Sequence, residues 1–337
     1  VQTCALPISY KKAFYIAACV FGVALASWAV WRLLPSSADE MKRCAVVVNA
    51  ESWHEVRVDG KPLLYFAECY GDSAVSDLRT VRNEALHSTY SAGFWTNRWL
   101  MMPSCEGRIV TAIETPTDAL RACADSTIMR LCREAAAARL KTLKHQKSEL
   151  NYYMRVHSVH DYGYQDVAAL DTRVCSEYAE AERVLHIIDS ITAGKHGVCV
   201  KTRHEYTATY RTEEGKLMRT RLRFVGSADG LTLLQAADGK TPEGVATLAL
   251  LPWNASDIGE ARAVGFPTIA VKGMECDTVS ARILPARIAQ GGKHNLPQML
   301  AGNGTPVFST KGRFVGMVSG DTIAARKTIR RILNFKW

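Results

Sequence analysis

The 337-residue chain has 47% hydrophobic and 22% charged residues, values typical of globular proteins, which argue against a wholly disordered, collagen-like or many-span membrane protein. Its net charge of +9 comes from basic residues spread along the chain, so a basic surface is a better interpretation than a nucleic-acid-binding groove, and no nucleic-acid partner is expected. The length allows two domains, or one domain with a large insertion.

The N-terminal part is predicted to hold a membrane anchor. We set residues 1–12 apart as a tail, and the stretch Ala13–Trp31 that follows carries no charged residue. Its length is close to the roughly 20 residues with which an α-helix crosses a bilayer core. Lys11 and Lys12 precede it and favour an orientation with the body outside the cytoplasm. Residues 13–34 are therefore predicted to be a transmembrane signal-anchor.

A cleavable signal peptide is the alternative, because Ala24-Leu25-Ala26 before Ser27 resembles a cleavage site. Either interpretation places the body in the periplasm or the extracellular space, where disulfides form. Of the ten cysteines, Cys4 and Cys19 lie in the N-terminal segments, and the body holds the rest: Cys44, Cys69, Cys105, Cys123, Cys132, Cys175, Cys199 and Cys276. None has zinc-site spacing, so no metal and no cofactor is expected, and the sequence leaves the disulfide pairing open.

The body begins, after a polar linker at residues 35–43, with a β-rich part at residues 44–117. Val-rich segments flank Asp59-Gly60, a dipeptide typical of β-hairpin turns. Two further strand-like stretches run from Tyr90 to Met102 and from Gly107 to Ile113. This part is predicted to be the first part of a β-barrel.

Residues 118–195 are predicted to form a helical hairpin inserted into the β-structure. One apolar stripe repeats every seven residues, and a second has alternating three- and four-residue spacing, which indicates one apolar face on each helix. The two stripes are Met129, Ala136, Leu143, Leu150 and then Val167, Leu170, Val174, Tyr178, Ala181, Leu185, Ile188. The segment 160–163, of sequence His-Asp-Tyr-Gly, suits the turn between them. Such stripes usually pack into a core, and a partner or oligomer contact is the alternative.

The pattern returns to β-structure over residues 196–321, and residues 322–337 are predicted to be a C-terminal helix. Alternating residues on both sides of 213–216 predict a hairpin, with Arg219, Arg221 and Arg223 on one face of its second strand. An exposed strand face is the simplest interpretation of these arginines, and contact with an acidic partner is the alternative.

The stretch Leu300–Gly320, LAGNGTPVFSTKGRFVGMVSG, resembles the nucleophile segment of the trypsin-like (chymotrypsin-fold, S1-type) serine proteases, whose pattern is G-[DN]-S-G-G-P. Gly259–Pro267 also resembles the family pattern G-x-x-V-x-x-G-[YF]-P. The resemblance implies a mainly β fold, a trypsin-like double β-barrel interrupted by the helical hairpin, with the N-terminal transmembrane helix and the C-terminal helix added. It covers residues 45–113 and 198–319.

The same alignment implies that the catalytic triad has been lost. Asn303 takes the serine position, and its amide has no hydroxyl or thiol to activate. The turn of Ala301, Gly302, Asn303 and Gly304 would correspond to the oxyanion-type turn, with the N–H groups of Ala301 and Asn303 as donors. Thr305 falls on a glycine position of the pattern.

The other two triad positions are also changed. The stretch Phe224–Ala237 resembles the family segment ending in D-L-A-L-L and puts Gly230 at the aspartate position, with Asp229 one residue early. Two registers are open for the histidine position, and they place either Cys105 or Glu114 there. His54 and His87 fall outside both registers.

The resemblance therefore implies a membrane-anchored, extracytoplasmic trypsin-like pseudoprotease that binds a peptide or protein, with the helical hairpin as a docking or oligomerisation element. The alternative is an active endopeptidase of serine or cysteine type with a misaligned site, for example one that uses Cys105 with a distant base. Cys105 in an oxidising compartment is more simply half of a disulfide.

Overall fold

The computed structural model describes residues 14–15, 17–24, 27, 35–70, 74–96, 106–113, 125–194, 196–248, 250, 259–267 and 280–333. The chain divides into two compact units. Unit 1 comprises Val1–Asn49, Tyr90–Glu114 and Thr207–Trp337, and unit 2 comprises Ala50–Thr89 and Thr115–Tyr206. The helical segment therefore groups with the hairpin at residues 50–89.

The described body is mainly β, with one long helical hairpin. The helices are α1 (Ala38–Cys44), α2 (Asp125–Val156), α3 (Tyr164–Ala193) and α4 (Arg326–Leu333). The first strands are β1 (Ala45–Val58), β2 (Lys61–Phe66), β3 (Glu68–Cys69), β4 (Val75–Ser76), β5 (His87–Thr96) and β6 (Arg108–Thr111). The others are β7 (Val198–Arg211), β8 (Leu217–Ala228), β9 (Leu231–Ala236), β10 (Gly259–Gly265), β11 (Arg282–Ile288), β12 (Pro306–Ser309), β13 (Phe314–Ser319) and β14 (Thr322–Ala325).

The larger sheet has seven strands in the order β2-β1-β5-β6-β9-β8-β7, and β7 pairs with β1 as well. The pairing that runs from β1 through β5, β6, β9 and β8 to β7 therefore leads back to β1. The predicted Asp59-Gly60 turn is confirmed, since it joins β1 to β2 with φ of 49° and 82° at its two residues. Left-handed backbone at both positions is the requirement of a type I′ turn.

The smaller sheet has five strands in the order β11-β10-β12-β13-β14 and lies in unit 1. Two isolated bridges, Ile288 to His294 and Lys293 to Thr322, connect both of its edge strands to the segment 293–294. Alanines and valines fill its interior, and the buried set is Ala261, Ala263, Ala286, Ile288, Leu296, Ala301, Val307, Val315 and Val318.

A second core of unit 1 joins residues of both sheets. Phe94 of β5 contacts Phe314 of β13 with ring centroids 4.9 Å apart. Ile329 and Ile332, on the inner face of α4, are buried in the same cluster. Because α4 covers this apolar surface, its basic residues remain on the outer side.

Unit 2 is built on the hairpin of α2 and α3. The predicted hairpin turn is confirmed, since α2 ends at Val156 and α3 begins at Tyr164. The stripes pack as expected at Ala136, Leu143, Val174, Ala181 and Ile188, which are all buried. Leu170 departs from the prediction, since it is 45% exposed.

Two sequence predictions of local structure were wrong. Residues 35–43 are not only a linker, because Ser37 and Glu40 form a capping box that starts α1. The helix predicted from residue 322 begins at Arg326, because Thr322–Ala325 pairs with β13 as strand β14. In both places hydrogen bonds between residues near in sequence set the structure: a capping box starts α1, and pairing with β13 forms β14.

The predicted transmembrane segment falls only partly on described residues. Residues 14–15, 17–24 and 27 are helical, and the remaining positions of 13–34 lie outside the described residues. Within the described part of the chain, no helix combines the length and apolar character needed to cross a bilayer. The signal-anchor stays a prediction.

Candidate functional site

The predicted oxyanion-type turn at residues 301–304 lies against strand β5. The backbone N–H of Ala92 donates to the carbonyl oxygen of Asn303 over 3.0 Å, and the Ser91 hydroxyl donates to the same oxygen over 2.7 Å. The Asn303 side chain is also engaged, since its Oδ1 accepts from the N–H of Gly320 at 2.9 Å. Asn303 therefore fastens the turn to β5 and to the end of β13.

Gly304 makes this close approach possible. Its φ is +86°, and a Cβ atom built on it would lie 1.8 Å from the carbonyl oxygen of Ala92. Its N–H donates to the carbonyl oxygen of Val318 over 2.8 Å. Any side chain at this position would both strain the backbone and displace β5.

Hydroxyl groups continue from the turn into the sheet. Thr111 of β6 lies 3.1 Å from the Ser91 oxygen and donates to the carbonyl oxygen of Ala92 over 2.7 Å. Thr232 of β9 donates to the carbonyl oxygen of Ile113 over 3.0 Å. All three hydroxyls donate to carbonyl oxygens, which satisfies their hydrogen-bonding requirement in the buried strands.

The strand register relates the turn at Asn303 to the predicted aspartate position. Gly93 pairs with Thr111, and Thr111 pairs with Thr232. Asn303 contacts Ser91, two residues before Gly93 in β5. Gly230 lies two residues before Thr232, in the turn that precedes β9. Because β5 and β9 each run antiparallel to β6, Ser91 and Gly230 lie on the same side of these paired residues.

Both candidates for the histidine position lie directly beside the described residues 106–113. Glu114 comes directly after Ile113, while Cys105 precedes β6, and both lie outside the described residues. Both registers for the histidine position therefore stay predictions.

Gly230 itself lies in the tight turn from β8 to β9, with φ of +74°. Its neighbour Asp229 also has positive φ, 54°, and its carboxylate accepts from Arg331 of α4 at 3.0 Å. The Asp229 carboxylate, one residue before the aspartate position, is thus paired with α4.

Two further polar groups at the turn, the Thr305 hydroxyl and the Ala301 N–H, are buried or hydrogen-bonded within the chain. Thr305 is fully buried, and its hydroxyl oxygen has no hydrogen-bond partner among the described residues. The N–H of Ala301, predicted as an oxyanion donor, donates to the carbonyl oxygen of Pro297 over 3.0 Å. In this conformation the Ala301 N–H is hydrogen-bonded within the chain.

Unit 2 holds a separate group of histidines that sequence reasoning had set aside. His54 stacks on Phe66 with centroids 4.7 Å apart and lies 3.0 Å from the Thr202 hydroxyl through Nδ1. Burial, with a smaller contribution from nearby His204, lowers the pKa of His54 to about 4, so the ring is neutral at pH 7.

Glu68 connects the other members of this group. Its carboxylate pairs with His87 and accepts a hydrogen bond from the Tyr70 hydroxyl. Among the described residues, no three His, Cys, Asp or Glu side chains are placed to hold a metal ion.

Sequence reasoning found the turn and Gly230 but missed Ser91, Thr111 and Thr232. The signal for them was weak, because each is a small hydroxyl residue whose two chain neighbours are apolar or aromatic. Such a residue must hydrogen-bond to a neighbour when buried, so it marks a close strand crossing or a turn packed against the sheet.

Comparisons with known proteins give little further information. No protein-family model and no curated protein matches the chain. Among solved structures, the crystal structure of Deg5 is similar with a TM-score of 0.34 at 10% sequence identity, covering 83% of this chain and 85% of that chain.

Proposed function

We propose that this protein is a membrane-anchored, extracytoplasmic domain with a trypsin-like double-barrel frame that binds extended peptides or a partner protein without cutting them. The observation that carries the proposal is the chemistry of two positions that the resemblance assigns to the triad. Asn303, at the serine position, is hydrogen-bonded to β5 and to Gly320 at the end of β13, and Gly230, at the aspartate position, has no side chain.

The sheet topology supports the frame. Six strands of the larger sheet pair in an order that returns to β1, and two bridges connect both edges of the smaller sheet to one segment. A sheet whose pairing leads back to β1, and a second sheet with both edge strands bridged to one segment, are compatible with a double-barrel frame.

The chemistry of the described hydroxyls supports inactivity. A serine nucleophile needs a base within hydrogen-bond reach and an oriented third group. Ser91 instead donates to the carbonyl oxygen of Asn303, and the Thr305 hydroxyl is enclosed. Neither oxygen has access to a substrate carbonyl in this arrangement.

A groove of about 530 Å³ on the smaller sheet is our candidate for the peptide. Its volume is in the range of ligand sites. Polar and charged side chains line it beside apolar ones, and the polar set is Glu260, Arg262, Arg287, Asn295 and Thr310. Pro285 on the edge strand β11 also lines it, and because proline lacks an N–H, this edge is poorly suited to adding a full strand. Side-chain recognition is therefore the expected mode.

The test uses the full chain in mild detergent with fluorescently labelled, dephosphorylated β-casein as an unfolded polypeptide probe. We expect binding by fluorescence anisotropy and no cleavage on gels over a day. Arg262→Glu in the groove should weaken binding at least fivefold, while Arg313→Glu, on the exposed turn between β12 and β13, should leave it unchanged.

Cleavage would overturn the inactive assignment. Cleavage lost in Cys105→Ala would identify a cysteine endopeptidase, and cleavage retained in that variant would identify an endopeptidase with another nucleophile. Absence of both binding and cleavage by folded protein would overturn the peptide-binding role.

A further inference from the structure

Two cysteines of unit 2 belong to one apolar core. Cys132 of α2 is fully buried there, and Cys69 of β3 packs against the same cluster. Neither is in a disulfide in the structure. They come from segments far apart in sequence, so the contact between these segments depends on the tertiary fold.

The backbone explains how Cys69 reaches this core. Leu64 and Phe66 point inward from β2, and a bend at Ala67 follows. The bend shifts the alternation by one residue, so that Cys69 instead of Glu68 continues the inward row. Glu68 consequently faces His87 and Tyr70.

The second strand of this small hairpin, β4, contacts α2. Cys69 pairs with Val75 across β3 and β4. Val75 lines a cavity of about 120 Å³ together with Ala135 and Ala136, which lie one helical turn after Cys132. The hairpin and this turn of α2 therefore pack against each other around a small space, which gives the side chains room to adjust.

The two thiols also differ in reactivity. Burial raises the pKa of Cys132 to about 12, and the nearby Cys69 adds to the rise. Cys69 is partly exposed. An external reagent would thus meet Cys69 first, while Cys132 is protonated and shielded at neutral pH.

We propose that Cys69 and Cys132 form a disulfide that ties the β3–β4 hairpin to helix α2. The Cys69 thiolate attacks a low-molecular-weight disulfide such as oxidised glutathione, forming a mixed disulfide and releasing one thiolate. The Cys132 sulfur, on losing its proton, then attacks Cys69 and releases the second. Two protein thiols and one glutathione disulfide become one protein disulfide and two glutathione thiols.

The second step depends on pH in a definite direction. Its rate follows the thiolate fraction of Cys132, so closure should accelerate about tenfold per pH unit between pH 7 and 9. Only the natural source of the oxidant rests on the proposed extracytoplasmic location, since the test supplies its own.

The experiment maps disulfides in the full chain, folded in mild detergent, after treatment with oxidised glutathione. Trypsin releases Cys69 in the peptide 58–79, because Pro62 protects Lys61, and Cys132 in the peptide 131–133. We expect a linked pair of these peptides that disappears on reduction, together with a higher thermal unfolding midpoint for the oxidised protein.

Cys69→Ser should abolish the linked pair, and Cys175→Ser, which changes a partly buried thiol of α3, should keep it. Glutathione that remains on Cys69 without closure at pH 9, or a link from either cysteine to a different one, would overturn the pairing. Because wild-type protein alone gives the decisive peptide map, the test does not depend on the folding of a variant, nor on the outcome of the casein assay.

Discussion

Gly304 and Gly163 both lie in turns and have similar backbone angles, but for different reasons. Their φ values are +86° and +82°. A Cβ on Gly304 would meet the Ala92 backbone at 1.8 Å, whereas a Cβ on Gly163, at the start of α3, meets nothing within 4 Å. Glycine is favoured at position 163 only by the backbone angle, whereas at position 304 it also allows the turn to contact β5.

The two turns are held closed by residues at different distances along the chain. The helical turn is closed by its own residues: the Asp161 carboxylate accepts from the N–H of Ser158 at 3.0 Å and lies 3.1 Å from His157. The turn at Asn303 is closed by groups from β5 and β13. Substitutions should therefore have local effects at the first and global effects at the second.

The largest effect is expected for Gly304→Ala. Left-handed backbone and the collision with Ala92 together should destabilise the protein by at least about 4 kcal/mol, or prevent folding. Gly302→Ala is the matched control, since its Cβ would meet only an oxygen at 3.8 Å. Chemical denaturation measures the free energy of unfolding of both variants. A Gly304→Ala protein as stable as the control would contradict the close packing of Gly304 against Ala92.

Gly163→Ala should cost about 1–2 kcal/mol, since only the backbone angle opposes the methyl group. Asparagine tolerates this region of φ, so Gly163→Asn should recover most of the loss. Thermal unfolding of the three proteins checks the ranking. A loss as large as that of Gly304→Ala would show that the helical turn depends on contacts beyond its own residues.

Asn303→Ala removes the acceptor of the Gly320 N–H and should destabilise the protein by about 1 kcal/mol. Asn303→Asp retains an acceptor oxygen at the same place and should remain close to the wild type. Denaturation midpoints decide this, and equal losses in both variants would indicate that the Oδ1 contact adds nothing.

The smallest effect is expected at Asp161. The hydrogen bond from the Ser158 N–H, and then His157, holds the pKa of this carboxyl below its ordinary value of 3.8. Because the folded-state pKa is depressed, its contribution is present above pH 3.8 and is lost as the pH falls through the lower folded value. Asp161→Ala at pH 7 should speed hydrogen exchange only in the peptides around residues 157–163. Faster exchange throughout the helices would contradict a local role.

Much of the fold follows from sequence patterns because the interactions concerned are local. The helices around Ala136 and Ile188 were predictable from one apolar face, and the turn at Asp59 from a dipeptide that tolerates left-handed backbone. The start of α1 was equally local, since Ser37 and Glu40 form a recognisable capping box, but the polarity of the segment concealed it.

The sequence was sufficient to predict the β, helical, β order, the hairpin turns and the unusual turn at residues 301–304, because period and turn chemistry act over a few residues. It did not show that Ser91 binds this turn, that Thr111 lies beside Ser91, or that Cys69 shares a core with Cys132. Strand register and the packing of distant segments bring these groups together, and no residue spacing along the chain records that register.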